Sequence, residues 1–217
     1  MILSTKLGKP QPFLLRLRFV HGMSAAIILS FLILHLVNHL VGLSGQTQHV
    51  EFMAAIRPFY RNQVVEPLIL AQFGFQVLSG LTMVVGGWRR RSGVVAWLQA
   101  GSGLYLGAFL LNHVSSILYG RAALHLDTDF RFAAAGFHVP GLAWFFAPYY
   151  FLAIVALFTH VGCAAFWFLR PRSEHVGLAV LLSLGGTGIV FGALVVAGLW
   201  GWLYPVDIPA NYLRTYQ

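Results

Sequence analysis

The sequence predicts an all-α membrane protein, a single bundle of five transmembrane helices, on three observations. The chain is 58% hydrophobic and only 9% charged, against about 25% charged residues in an ordinary soluble domain. Five apolar runs are each long enough to cross a hydrocarbon core about 30 Å thick at about 1.5 Å of rise per residue. The segments between these runs alternate between arginine clusters and mixed-charge connections, as expected of a chain that crosses a membrane repeatedly. A mean hydropathy of +0.74 leaves no water-soluble surface, and one helical bundle is the natural domain.

The first span covers residues 19–43, after a basic stretch holding Lys6, Lys9, Arg16 and Arg18. Residues 44–63 include a short amphipathic stretch at 51–60, expected to lie in the interface. The second span, 64–88, opens beside Glu66-Pro67 and stops at Arg89-Arg90-Arg91. The third covers 94–119. A connection at 120–141 then carries Asp127, Asp129 and Arg131 and ends at Pro140-Gly141. The fourth span is 142–169, closed by Arg170-Pro171-Arg172, and the fifth is 175–203.

Charge orients the bundle with its N-terminus inside and its C-terminus outside. The inner side then holds Lys6, Lys9, Arg16, Arg18, Arg89, Arg90, Arg91, Arg170 and Arg172 against Glu174 alone. The outer side holds Arg57, Arg61, Arg121, Arg131 and Arg214 against Glu51, Glu66, Asp127, Asp129 and Asp207. The whole formal charge of +8 therefore sits on the inner face of a cytoplasmic (inner) membrane. Topology and anionic lipid account for such a bias, and the same surface would serve to dock a cytoplasmic partner. Clusters at helix junctions make no folded surface for reading nucleic acid.

Several chemistries are excluded. The one cysteine, Cys163, allows neither an intrachain disulfide, nor a cysteine-bound iron–sulfur cluster, nor covalent haem attachment. No P-loop or Rossmann glycine pattern is present. No cleavable signal peptide is expected, because the first apolar run is too long for one.

The informative residues are the histidines inside the spans: His21, His35, His39, His113 and His160. An ionisable side chain at that depth is costly and usually functional, and neutral imidazole is a good iron ligand. The first and third spans look like copies offset by 78 residues: Ala25, Phe31 and Leu34-His35 resemble Gly103, Phe109 and Asn112-His113. Gln76-Val77 with Gly80 is a weaker match to His160-Val161 with Ala164. At about 1.5 Å per residue, His35, His39 and His113 form an outer layer, and Gln76 with His160 an inner one. A b-type haem needs two neutral imidazoles from different helices, facing each other at one depth between flat apolar walls. His35 and His113 meet this requirement, and Gly42, Gly101, Gly103, Gly107 and Ser115-Ser116 offer close approach. His39, one turn beyond His35, is an alternative ligand or a partner of a propionate or quinone. His160 is either part of a second haem site or a hydrogen-bonded bundle histidine. His49, His125, His138 and His175 lie in connections and are expected to be solvated. Each intramembrane histidine has a plainer reading, a hydrogen bond to a facing carbonyl.

These features resemble the membrane cytochrome b subunit of the succinate dehydrogenase/fumarate reductase (complex II) family in its single-chain, five-helix form. The first-span signature is similar to His35-Leu36-Val37-Asn38, and the third- and fourth-span ligands match His113 and His160. The second-span pattern resembles Glu66, Gln76 and Gly80, but Gln76 stands where the family has a histidine ligand. The resemblance implies an outer haem b held by the first and third spans. An inner haem is put in question by Gln76, so one haem is expected. It also implies flavoprotein and iron–sulfur subunits on the cytoplasmic face, and quinone as the membrane substrate, with any dicarboxylate active site on other chains. Arg18, His21 and Ser24 resemble the family's quinone donors near the inner end of the first span. Arg18 is equally a membrane anchor. Glu66, at a helix N-terminus beside Pro67, is either a dipole partner or a group exchanging protons with an outer quinone. The Gly188–Gly192 and Gly103–Gly107 pairs fit small-residue helix packing, and the aromatic stretches 144–150 and 200–204 fit interface belts. Two other readings stay open: a stand-alone quinone-linked cytochrome b, and a haem-free membrane anchor or assembly protein on the same fold.

Overall fold

The computed structural model describes residues 12–216, which hold eight α-helices, short 3-10 turns and no strand. In chain order these are α1 (Pro12–Val41), α2 (Gln46–Tyr60), α3 (Val65–Gly87), α4 (Val94–Ala122), α5 (Phe130–Ala134), α6 (Ala143–Leu169), α7 (Glu174–Trp200) and α8 (Ala210–Leu213). Five of them, α1, α3, α4, α6 and α7, are long and apolar enough to cross a membrane. Large apolar side chains on their outer faces are exposed, among them Phe19, Leu78, Val94, Phe168 and Leu182. A surface of that kind is stable in lipid and costly in water. Lys6 and Lys9 lie outside the described residues.

The spans agree closely with the apolar runs, with two differences that have physical causes. Helix α1 begins at Pro12 rather than near residue 19. Proline suits a first helical turn, and the Leu/Arg stretch after it forms helix readily although it is too basic for the hydrocarbon. Helix α7 stops at Trp200 rather than near 203, because Gly201 turns left-handed (φ 85°). Its backbone NH and that of Trp202 donate back to Ala197 O, closing the helix in the manner of a glycine C-cap.

The two longer connections are more ordered than the sequence suggests. Residues 46–60 form one continuous helix, set off from α1 by Gly45 (φ 151°). After α4, Asp129 caps α5 by accepting from Arg131 N at 2.8 Å. Phe130, Ala134 and Phe137 then bury against Val195, Val196 and Leu199 of α7.

Helices α6 and α7 make the tightest pair. A Cβ at Gly188 would lie 2.7 Å from Phe158 Cβ, and one at Gly162 would lie 2.9 Å from Leu181 Cδ1. The Gly188–Gly192 stripe thus packs helix on helix, as expected. Gly103 and Gly107 do not. A Cβ at Gly103 would meet only His160, and one at Gly107 would have Val77 at 3.9 Å; both border a cavity. Helix α1 packs on α2 and α3, α3 on α4, and α4 on α6, but α1 packs closely on neither α4 nor α6.

Candidate functional site

The gap left by that packing is a cavity of about 1410 Å³ bounded mainly by α1, α3, α4 and α6. Its size exceeds the roughly 300–1,000 Å³ typical of small-ligand sites. Most of its wall is aliphatic or aromatic, and its polar groups gather in two layers and at its ends.

In the layer farther from Pro12, the one expected to be outer, α1 contributes His35 and His39, and α4 contributes His113. All three are only half-buried, since each borders the cavity. The ring centres of His35 and His113 are 6.2 Å apart. Each ring is backed by a phenylalanine one turn earlier on its own helix: Phe31 stacks on His35 at 6.0 Å and 17°, and Phe109 on His113 at 5.2 Å and 13°. The repeat seen in the sequence therefore corresponds to one local device used twice. His39 stands edge-on to His35 at 4.9 Å. Ser115 and Ser116 are exposed and offer no close approach to the site.

Two of the histidines expected to be solvated are not. His49 is 5% exposed, with its ring 5.4 Å from that of His39 and 5.3 Å from Phe130. Asn38 Nδ2 donates to His49 Nε2 at 3.2 Å. His49 Nδ1 and Asn38 Oδ1 are buried and have no partner among the described residues. Burial, together with nearby His35, pushes the His49 pKa down to about 4. A Cβ at Gly42 would lie 2.8 Å from the His49 ring, so this ring fits only because residue 42 is glycine. The sequence did carry a signal: His49 and Met53, the two buried residues of α2, lie four apart on one face. His138 is also held, its Nε2 donating to Leu199 O at 3.0 Å. His125 and His175 are exposed.

The inner layer is a hydrogen-bonded seam. Gln76 Nε2 donates to His21 O at 3.0 Å, and His21 Nδ1 meets Ser79 Oγ at 2.7 Å. Ser24 is buried and donates to Gln72, tying α1 to α3; it does not line the cavity. His160 Nδ1 lies 3.1 Å from Gln99 O and 3.2 Å from Ser102 Oγ. Arg18 lines this end of the cavity with an exposed side chain. Arg91 lines it too, packed over Trp97 at 5.3 Å.

At the outer end Arg57 binds Asp127 at 2.9 Å, with Arg61 3.9 Å from the same carboxylate. Arg121 makes a two-pronged pair with Glu66. Glu66 is thus an ion-pair partner joining the start of α3 to the end of α4. Asn62 Oδ1, accepting from Val64 N and Val65 N, closes the first turn of α3. The 144–150 and 200–204 stretches divide. Trp144 and Trp202 are exposed at one end of α6 and α7, as a belt requires, whereas Tyr150 lines the cavity and Tyr204 donates to Gly42 O.

Among the described residues no group of three or more His, Cys, Asp or Glu side chains is arranged to hold a metal ion. The cavity places imidazoles from α1 and α4 beside each other, and neutral imidazole is a donor that could hold an iron centre. Comparison with protein-family models, with curated proteins and with solved structures gives no match to this chain.

Proposed function

We propose that this chain is the membrane anchor and b-type cytochrome subunit of a complex like succinate dehydrogenase/fumarate reductase. In this reading it passes electrons between redox subunits on the cytoplasmic face and quinone in the membrane. The observation that carries the reading is the His35–His113 pair, 6.2 Å between ring centres, on two helices that do not pack closely on each other. Two imidazoles on opposite sides of one metal, each at a bond of about 2 Å, have ring centres roughly 6 Å apart.

His35 and His113 would hold the haem iron, and the bound haem supplies a one-electron carrier. Phe31 and Phe109 restrict rotation of the two rings, and the aliphatic wall keeps water away from them. His39 stands one turn from His35, near enough to serve as the alternative ligand or as a hydrogen-bond donor. Arg57, Arg61 and Arg121 outnumber Asp127 and Glu66 at the outer mouth. That spare positive charge suits an acidic substituent of the ligand. At the other end Arg18 and His21 border the cavity and supply polar groups for a quinone headgroup. Ser24, engaged with Gln72, acts there by holding α1 in place.

The start of α1 and the α3–α4 and α6–α7 junctions share one end of the bundle by helix alternation. With the N-terminus inside, that end carries Arg16, Arg18, Arg89, Arg90, Arg91, Arg170 and Arg172 toward the cytoplasm, where flavoprotein and iron–sulfur subunits would dock. The test is a reduced-minus-oxidised spectrum of protein purified with its partners. A b-type alpha band and co-purifying flavin are expected. A band without flavin would leave the stand-alone cytochrome, and the absence of any band would leave only the haem-free anchor.

A further inference from the structure

We infer that the C-terminal segment, residues 204–216, is a clasp that holds α2 as a lid over one end of the cavity, and that its release opens the cavity to water-soluble molecules on that face. The inference concerns access to the cavity and holds whatever fills it.

Helix α2 roofs the cavity at the end farther from Pro12. Met53, Arg57, Tyr60 and, just past the helix, Arg61 all line the cavity. Of the 15 residues of α2 only His49 and Met53 are buried. An element with so little buried surface belongs to the low-stability end of a fold, where local opening is easiest. Gly45, at φ 151°, separates α2 from the turn that follows α1, so the two helices are not one rigid rod. The lid also carries His49, whose ring abuts His39 at 5.4 Å, and its seating therefore backs the histidines of that layer.

The C-terminal segment grips this lid at three places. Tyr204 Oη donates to Gly42 O, in the turn that leads from α1 into α2. The side chain of Gln46, the first residue of α2, makes two bonds with the Asp207 backbone: Nε2 donates to Asp207 O at 3.0 Å, and Asp207 N donates to Oε1 at 3.0 Å. Tyr212 Oη donates to Asp127 O at 3.1 Å. The Asp127 carboxylate in turn pairs with Arg57 at 2.9 Å, near the other end of α2. The segment is itself anchored on the packed side of the bundle. Tyr204, Val206 and Ile208 lie against the cluster of Phe130, Phe137 and Leu199, and Tyr216 meets Phe146 edge-on at 5.7 Å. Such bonds are worth little singly, and together they set a local opening equilibrium.

The experiment follows a thiol placed inside the cavity. Ile117→Cys puts it on the α4 wall, one turn beyond His113, and the fully buried Cys163 supplies the unlabelled background. The purified full chain carrying Ile117→Cys is exposed to a sulfonated maleimide, which does not enter apolar phases, with and without Gln46→Ala and Tyr212→Phe. Removing these three bonds together should speed labelling of the introduced thiol by about tenfold or more. Ser173→Ala removes the cap of α7 at the opposite end of the bundle. It carries a comparable stability cost and should leave the labelling rate unchanged. Equal rates with and without Gln46→Ala and Tyr212→Phe, or the same acceleration from Ser173→Ala, overturn the clasp. Either result leaves the proposed function standing, since that is read from the haem spectrum and not from the labelling.

Discussion

The two sides of this bundle are held together by different means. On one side α6 and α7 touch along most of their length through Gly162, Gly177, Gly188 and Gly192, and Phe130, Phe137 and Leu199 fill the space beneath the connections. On the other, α1 joins α2 and α3 through Phe31 against Tyr60 and Phe73 and through three polar bonds: Ser24 to Gln72, Gln76 to His21 O and His21 to Ser79. Helix association in lipid relies on close packing of small residues and on hydrogen bonds, since burial of apolar surface drives little there. The packed side is complete in itself. The cavity side is hydrogen-bonded at its edges and open at its centre.

This contrast can be broken experimentally, and the largest expected effect is on the packed side. Gly188→Leu puts side-chain atoms where Phe158 already lies and should lower stability by about 3 kcal/mol, the upper part of the range for overpacking. Thermal unfolding in detergent reads this directly. His113→Ala, on the cavity side, should abolish the haem signal that the proposed function assigns to the outer site. It should change the stability of the ligand-free protein by less than about 1 kcal/mol, because its ring borders open space. If the two substitutions destabilise the ligand-free protein equally, the contrast fails.

A smaller effect concerns pH. His49 holds a pKa of about 4 in the folded chain against an ordinary value of 6.5. The unfolded chain therefore binds this proton more tightly. Folding loses stability as pH falls from about 6.5 through about 4, by about 3 kcal/mol at the lower limit, and is unaffected above. His49→Phe removes the proton and keeps a ring beside Phe130. Its melting point should fall less steeply than that of the wild type over the same window, and parallel slopes would contradict the assignment. The smallest effect is at the outer mouth. Glu66→Gln weakens an ion pair whose side chains are each about a quarter exposed (26% for Glu66, 25% for Arg121), so a loss below about 1 kcal/mol is expected. A larger loss would show that the mouth, too, belongs to the tightly held part of the molecule.

The spans were legible because twenty or more consecutive apolar residues have few other uses. The His35–His113 pair was legible because the 78-residue repeat places equivalent residues at equivalent depth. The start of α1 was not, since Arg16 and Arg18 read as a flank although they sit in continuous helix. His49 was missed for a related reason. Its neighbours Gln46, Gln48 and Glu51 make α2 look wet, and only the fold reveals that one face is pressed between α1 and α5. Gln76 could be seen to lack a ligand's chemistry, but its bond to the His21 carbonyl joins residues 55 positions apart, which no local pattern encodes. The buried core beneath the second connection was hidden by Asp127, Asp129 and Arg131, whose charges are satisfied by capping and ion pairing.

The order of the helices along the chain has a consequence for assembly. His35, His39, His49 and His113 all lie in α1, α2 and α4, and the wall supplied by Tyr150, Ala153 and His160 of α6 comes after them. Synthesis proceeds from the N-terminus, so the outer pair of imidazoles can be inserted and facing each other while one flank of the pocket is still missing. A rigid, flat ligand too large to slip between packed helices could enter laterally in that interval. The arrival of α6, locked in turn by α7, would then shut it in.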